Sequence, residues 1–162
     1  MKKIIVVAIL LFASLSVSTV WSGSVPPIPQ IQTVWRVGII VGVLAPAKTT
    51  NDQLKALIYE FKKARMTSSL TKYIPATTPG IKDDPYQQVI IFVFSDPKWA
   101  TEDEYKKYER SSMKTQSGKS TAKTYLNHIR ASYEWDKFEG KEYGSLGCDE
   151  GGMRSASYKK LF

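Results

Sequence analysis

His128 and Cys148 are the only histidine and the only cysteine of the 162-residue chain, so any thiol chemistry has a single imidazole to call on. A thiol attacks as its thiolate, and an imidazole within hydrogen-bond reach would take the proton. Cys148 lies in the run Gly144-Ser145-Leu146-Gly147-Cys148-Asp149-Glu150-Gly151-Gly152, which reads as a polar loop open to substrate. Asp149 and Glu150 oppose that chemistry, because adjacent carboxylates hold a thiol protonated. The plainer account is an incidental thiol and a surface histidine.

Residues 124–135 supply a second set by strict alternation. Tyr125, Asn127, Ile129, Ala131, Tyr133 and Trp135 fall on one side, and Leu126, His128, Arg130, Ser132 and Glu134 on the other. Period two predicts a half-buried strand, with alternate side chains about 7 Å apart. The row His128, Arg130, Ser132, Glu134 could bind a carboxylate or phosphate, or move protons with Glu134 as the acid or base. As ordinary structure it is the wet face of an edge strand, where mixed charge deters edge-to-edge pairing.

Two further patterns fail on spacing. Ser117-Gly118-Lys119-Ser120-Thr121 ends like a phosphate loop, but Met113 stands where that motif needs its first glycine. One histidine and one cysteine are too few nitrogen and sulfur ligands for a zinc site, and no acidic run has calcium-loop spacing. No metal and no cofactor is expected.

Charge suggests binding instead. The chain carries a formal +8, and residues 106–130 hold Lys106, Lys107, Arg110, Lys114, Lys119, Lys123 and Arg130 against Glu109 alone. Such a segment would attract an acidic envelope protein or an anionic envelope polymer, and Trp99 could stack beside it. Nucleic acid is not an expected partner, since the chain reads as exported.

The export reading comes from the first residues. Met1, Lys2 and Lys3 precede an apolar run over 4–20, with no further charge before Arg36. A basic tip, an apolar stretch and small residues predict a signal peptide over 1–22. The product would be periplasmic or secreted. If the leader stayed uncut, residues 4–21 would anchor the chain in the inner membrane, the one route to membrane contact. A Pro-rich linker follows over 23–33.

The elements that must position these residues are then read over 34–136, with 137–162 as a Gly-rich tail. Residues 34–44 and 87–94 are apolar without alternation, as in strands covered on both faces. Thr50 and Gln53 form a capping box that opens a helix to about residue 66, with a stripe of Leu54, Leu57, Ile58 and Phe61. Thr101 opens a second, polar helix expected at the rim, and 113–122 reads as an exposed basic loop. Strand, helix, strand, helix, strand predicts an α+β fold. Its expected form is a two-layer sandwich, a mixed sheet of three or four strands with helices on one face.

With a single cysteine and 12% aromatic residues, stability must come from a packed core. The sequence thus favours an exported, non-catalytic binding domain of the bacterial envelope. A small hydrolase using His128 with Cys148 or Glu134 is the alternative.

Overall fold

A computed structural model describes residues 26–112, 116–150 and 152–162. The expected leader over 1–22, the start of the linker and Lys114 lie outside the described residues.

The apolar run over 34–44 is two strands, not one. β1 (Gln32–Val37) and β2 (Ile40–Leu44) pair antiparallel around a two-residue turn. Gly38 makes the reversal possible by taking φ +58, where a Cβ would be strained. The other glycine of this run, Gly42, accepts close packing. The Trp35 indole lies over it, so near that an added Cβ would stand 2.2 Å from the ring.

Thr50 and Gln53 form the expected capping box, and α1 runs over Asn51–Met66 with Leu54, Leu57, Ile58, Phe61 and Ala64 buried. β3 (Gln88–Phe94) follows and pairs parallel with β2. α2 (Glu102–Ser112) is capped by the Thr101 hydroxyl, which accepts from the Glu104 N–H. α3 (Gln116–Leu126) occupies most of the segment read as a basic loop. β4 (Ala131–Asp136) then pairs antiparallel with β3 and leads by a tight turn into β5 (Lys141–Leu146). Two short ribbon strands, β6 (Asp149–Glu150) and β7 (Met153–Arg154), precede β8 (Lys159–Lys160), which pairs with β5.

The expectation of a small three- or four-stranded sheet in two layers is therefore overturned. The sheet is mixed and six-stranded, in the order β1-β2-β3-β4-β5-β8, beside the β6-β7 ribbon. The fold remains α+β. Three causes account for the difference. The Gly38 turn hides inside an apolar run. The tail supplies β5 and β8 from residues with little apolar character. Helices also cover both faces. Val41, Val43, Val89, Ile91, Val93, Ala131 and Tyr133 pack with α1. Phe92, Phe94 and Trp35 pack on the other side with Tyr105 and Tyr108 of α2 and Ala122, Tyr125 and Leu126 of α3. Hence α2 is no rim helix: Tyr105 and Tyr108 are buried.

The expected strand over 124–135 also begins late. Tyr125 and Leu126 end α3, and the strand starts at Ala131. Ala122, Tyr125, Leu126 and Ile129, all buried, follow the i, i+3, i+4, i+7 spacing of a helix face, which the two-fold alternation masked.

The last residues are fixed to the sheet by one close approach. Gly144 of β5 has no side chain, and Phe162 fills that space, with the Leu161 N–H donating to the Gly144 carbonyl at 2.8 Å. A Cβ on Gly144 would stand 2.5 Å from Phe162 Cζ and 2.6 Å from Ile58 Cγ2. Phe162 also meets the Tyr59 ring at 5.2 Å and lies under Lys62 Nζ at 4.2 Å. Gly144→Ala should destabilise the fold by about 1–3 kcal/mol, the usual cost of overpacking. Adding Phe162→Ala should return part of that loss. Urea unfolding of the two variants checks this; equal stability of Gly144→Ala and the parent would contradict the packing.

Candidate functional site

Residues paired across a sheet share a face, so the register defines what each face presents. One row runs through the whole sheet: Trp35, Gly42, Phe92, Ser132, Ser145 and Lys160. The next runs Ile40, Ile90, Glu134 and Tyr143. In both, the character changes at β4. From β1 to β3 the row is apolar and lies beneath α2 and α3. From β4 to β8 it is polar.

That polar half floors a groove of about 330 Å³. Ser132 and Glu134 of β4, Tyr143 and Ser145 of β5 and Lys160 of β8 form the floor, while Asp149, Arg154 and Tyr158 form the wall. Tyr143 is 41% exposed and Lys160 Nζ lies 5.5 Å from its ring centroid. Across the groove the Arg154 guanidinium sits 5.0 Å from the Tyr158 ring, and its Nε donates to Asp149 Oδ2 at 2.8 Å. Each tyrosine thus carries a cation on its face.

The hydroxyls of the floor are ordered. Ser145 Oγ donates to the Gly147 carbonyl at 3.0 Å. It stands 2.8 Å from Ser132 Oγ, and since its one proton is committed, Ser132 is the donor between them. The Glu134 carboxyl is raised above its ordinary range by burial first, then by Asp136 and Glu139.

The structure separates the residues singled out from sequence. Ser132 and Glu134 share the groove floor, but His128 and Arg130 precede the strand. His128 stacks on Trp99, ring centroids 3.9 Å apart and 8° from parallel, and both are half-buried. Arg130 turns inward and donates to the Thr49 carbonyl, Asn51 Oδ1 and Ser95 Oγ, which ties the entry of β4 to the start of α1.

Cys148 is 1% exposed and belongs to the second core. Burial, then Glu150 and Asp149, push its thiol well above the ordinary range, so it rests protonated. No hydrogen bond joins it to His128 among the described residues. The basic set is likewise dispersed. Lys106 pairs with Glu102 and Lys107 with Glu104, along α2 itself. Arg110 Nε donates to the Lys106 carbonyl. Lys123 is exposed beside Asp149 and Arg154, on the outer side of the ribbon. The side chain of Lys119 lies outside the described residues. Among the described residues no group of carboxylate, histidine and cysteine side chains could hold a metal ion. No described helix is long and apolar enough to cross a membrane.

Tyr143 could be read from sequence only as one of several aromatics near the basic segment, and Ser145, Asp149, Arg154, Tyr158 and Lys160 were not legible as site residues. A signal was present in 141–146, where Glu142, Gly144 and Leu146 alternate with Lys141, Tyr143 and Ser145. Gly144 stands where the inner face would usually carry a large apolar residue, and so masks the strand.

Glu150 makes the ribbon sensitive to pH. Its carboxyl is pushed up to about 7, by burial first and then by Glu134 of β4 and Asp149 of its own strand. Tyr105 and Tyr108 of α2 and the Cys148 thiol are coupled to it as well. A carboxyl with a raised folded-state pKa adds stability that is complete below its unfolded pKa and is lost as pH rises through the folded value. The parent should therefore lose stability between about pH 5 and about pH 8 relative to Glu150→Gln, by on the order of 2 kcal/mol. Glu142 shifts the opposite way and acts only at lower pH. Chemical unfolding across that range checks this, and parallel profiles for parent and variant would contradict it. Comparison of the chain with protein-family models, with curated proteins and with solved structures gives no match.

Proposed function

We propose that this chain is an exported, non-catalytic binding domain of the bacterial cell envelope, and that the polar groove on β4, β5 and β8 is its ligand seat. One observation carries the reading: past Phe92 the row changes character, and the groove gathers polar groups around Ser132, Ser145 and Lys160. The pairings β3-β4, β4-β5 and β5-β8 are antiparallel, and such a sheet can leave one face to water for structural reasons alone; what supports a seat is the set of groups gathered in the groove. Here the half-face carries buried or half-buried hydroxyls and a carboxylate beside exposed Tyr143 and Lys160, with Arg154 and Tyr158 in the wall, the kinds of group that orient a ligand.

The chemistry favours binding over catalysis. The thiol is buried and protonated, and His128 is stacked against Trp99 rather than set beside a nucleophile. The formal charge, +8 for the chain and 8 − 2 = +6 once Lys2 and Lys3 leave with the leader, supplies longer-range attraction toward an acidic envelope protein or an anionic envelope polymer. With Lys106 and Lys107 paired locally and Arg130 turned inward, the net charge brings the chain to that partner, and the groove, which also holds Glu134 and Asp149, is left to take a ligand of mixed charge.

Tyr143 tests the seat, because its exposed ring can be removed without opening a core. Tyr143→Ala should reduce sedimentation of the protein with isolated envelope fractions about tenfold in affinity, as expected for an aromatic contact residue. Lys55→Ala, exposed on α1 and distant from the groove floor, should leave sedimentation unchanged. Equal behaviour of the two variants would sink the groove as the seat.

A further inference from the structure

Glu134 and Lys160 line the groove without an ion pair among the described residues, whereas Arg154 is paired with Asp149 of the same wall. Ser132 spends its proton on Ser145, Ser145 spends its own on the Gly147 carbonyl, and Ser132 also hydrogen-bonds the Cys148 thiol, so this hydroxyl pair is largely satisfied within the protein. Glu134, beside it on β4, adds a carboxylate that has no ion pair among the described residues. On β8 Lys160 has no ion pair among the described residues either; its ammonium lies 5.5 Å from the Tyr143 ring centroid. Arg154 is held by Asp149 through Nε, which leaves its terminal nitrogens as donors.

The register sets the span. Ser132, Ser145 and Lys160 are directly opposite one another on three adjacent strands, and Glu134 lies two residues along β4 on the same face. Two strand spacings and one two-residue step separate Glu134 from Lys160, about 12 Å between Cα positions. The Lys160 ammonium lies by the ring of Tyr143, the residue directly opposite Glu134, so the charged ends are closer than the Cα positions. An extended chain covers roughly 3.3–3.6 Å per residue, so two or three residues fill that gap.

Resting on the reading of the groove as a ligand seat, we propose that its ligand is a short zwitterionic peptide segment, with a free ammonium held by Glu134 and a free carboxylate held by Lys160. A purely anionic ligand would set negative charge against Glu134, and a purely cationic one would meet Lys160. A ligand carrying both charges at this spacing satisfies both ends at once. The Tyr143 and Tyr158 rings then flank its backbone.

Isothermal titration calorimetry of the purified chain with trialanine, N-acetyl-trialanine and trialanine amide tests the proposal. Trialanine should bind, and blocking either end should weaken binding about tenfold or more. Glu134→Gln should weaken trialanine binding while leaving N-acetyl-trialanine unchanged, since that peptide has no ammonium to lose. Lys160→Met should do the same for trialanine against trialanine amide. This coupling of one side chain to one end is what a merely structural role would not produce. Equal binding of all three peptides, or stronger binding of a blocked one, would overturn the assignment of charges. No heat from any peptide, with Tyr143→Ala still impairing envelope sedimentation, would overturn the peptide class and leave the groove as the seat. Loss of the Tyr143 effect itself would mark the failure of the seat.

Discussion

The structure depends on β3 being buried on both faces. Val89, Ile91 and Val93 point to α1, while Phe92 and Phe94 point to α2 and α3, and all five are 1% exposed or less. Each large apolar side chain of this kind contributes about 1.5–3 kcal/mol when removed from water. A strand covered on both faces must satisfy its backbone laterally, which β2 and β4 do from either side. Those pairings make β3 central, and its two apolar faces require helices above and below. The two cores follow from one seven-residue segment.

The faces then differ in how far their helices reach. On the α1 side the cover extends over β4 and β5 and ends in a satisfied polar network. Glu142 Oε1 accepts from Arg65 Nε at 2.8 Å and from Tyr133 Oη at 2.7 Å, with Lys62 at 3.4 Å from the other oxygen. The Arg65 guanidinium also lies 4.1 Å from the Trp135 ring centroid. Burial raises the Glu142 pKa, but the hydrogen bonds and charges of its partners outweigh it and hold the carboxyl below its ordinary value. On the opposite side α2 and α3 stop at β3. The same two strands there carry Ser132, Glu134, Tyr143 and Ser145 into an open groove. One half of the sheet is therefore covered by α1 on one face, and on the other meets the segment from Cys148 to Glu150 and the groove beside it.

Much of this was legible in the sequence, and the failures have physical causes. The α1 helix could be read because its cap, stripe and basic end agree: Thr50 with Gln53, Leu54 through Phe61, and Lys63 with Arg65. β3 could be read because an apolar run bounded by Gln88 and Ser95-Asp96-Pro97 admits little else. The β1-β2 turn was hidden because Gly38 and Ile39 do not interrupt the hydrophobicity around them. The α3 helix was hidden because its outward residues are Ser, Thr and Lys, and because Tyr125 and Ile129 satisfy two periods at once. The site was half-legible. Ser132 and Glu134 belong to a strand whose alternation is real from Ala131 onward. Their partners come from β5 and β8, whose place beside β4 is decided by pairing and by Phe162 seating on Gly144, neither of which leaves a local pattern.

The account's central claim is that the polar half-face of β4, β5 and β8 receives the ligand. The most direct measurement is an amide chemical-shift map of the isotope-labelled protein titrated with solubilised envelope fragments. The account predicts that the shifts concentrate at Ser132, Glu134, Tyr143, Ser145, Tyr158 and Lys160, with little change along α1. Shifts confined to Lys106, Lys107 and Arg110 on α2, or to the outer face of α1, would contradict it.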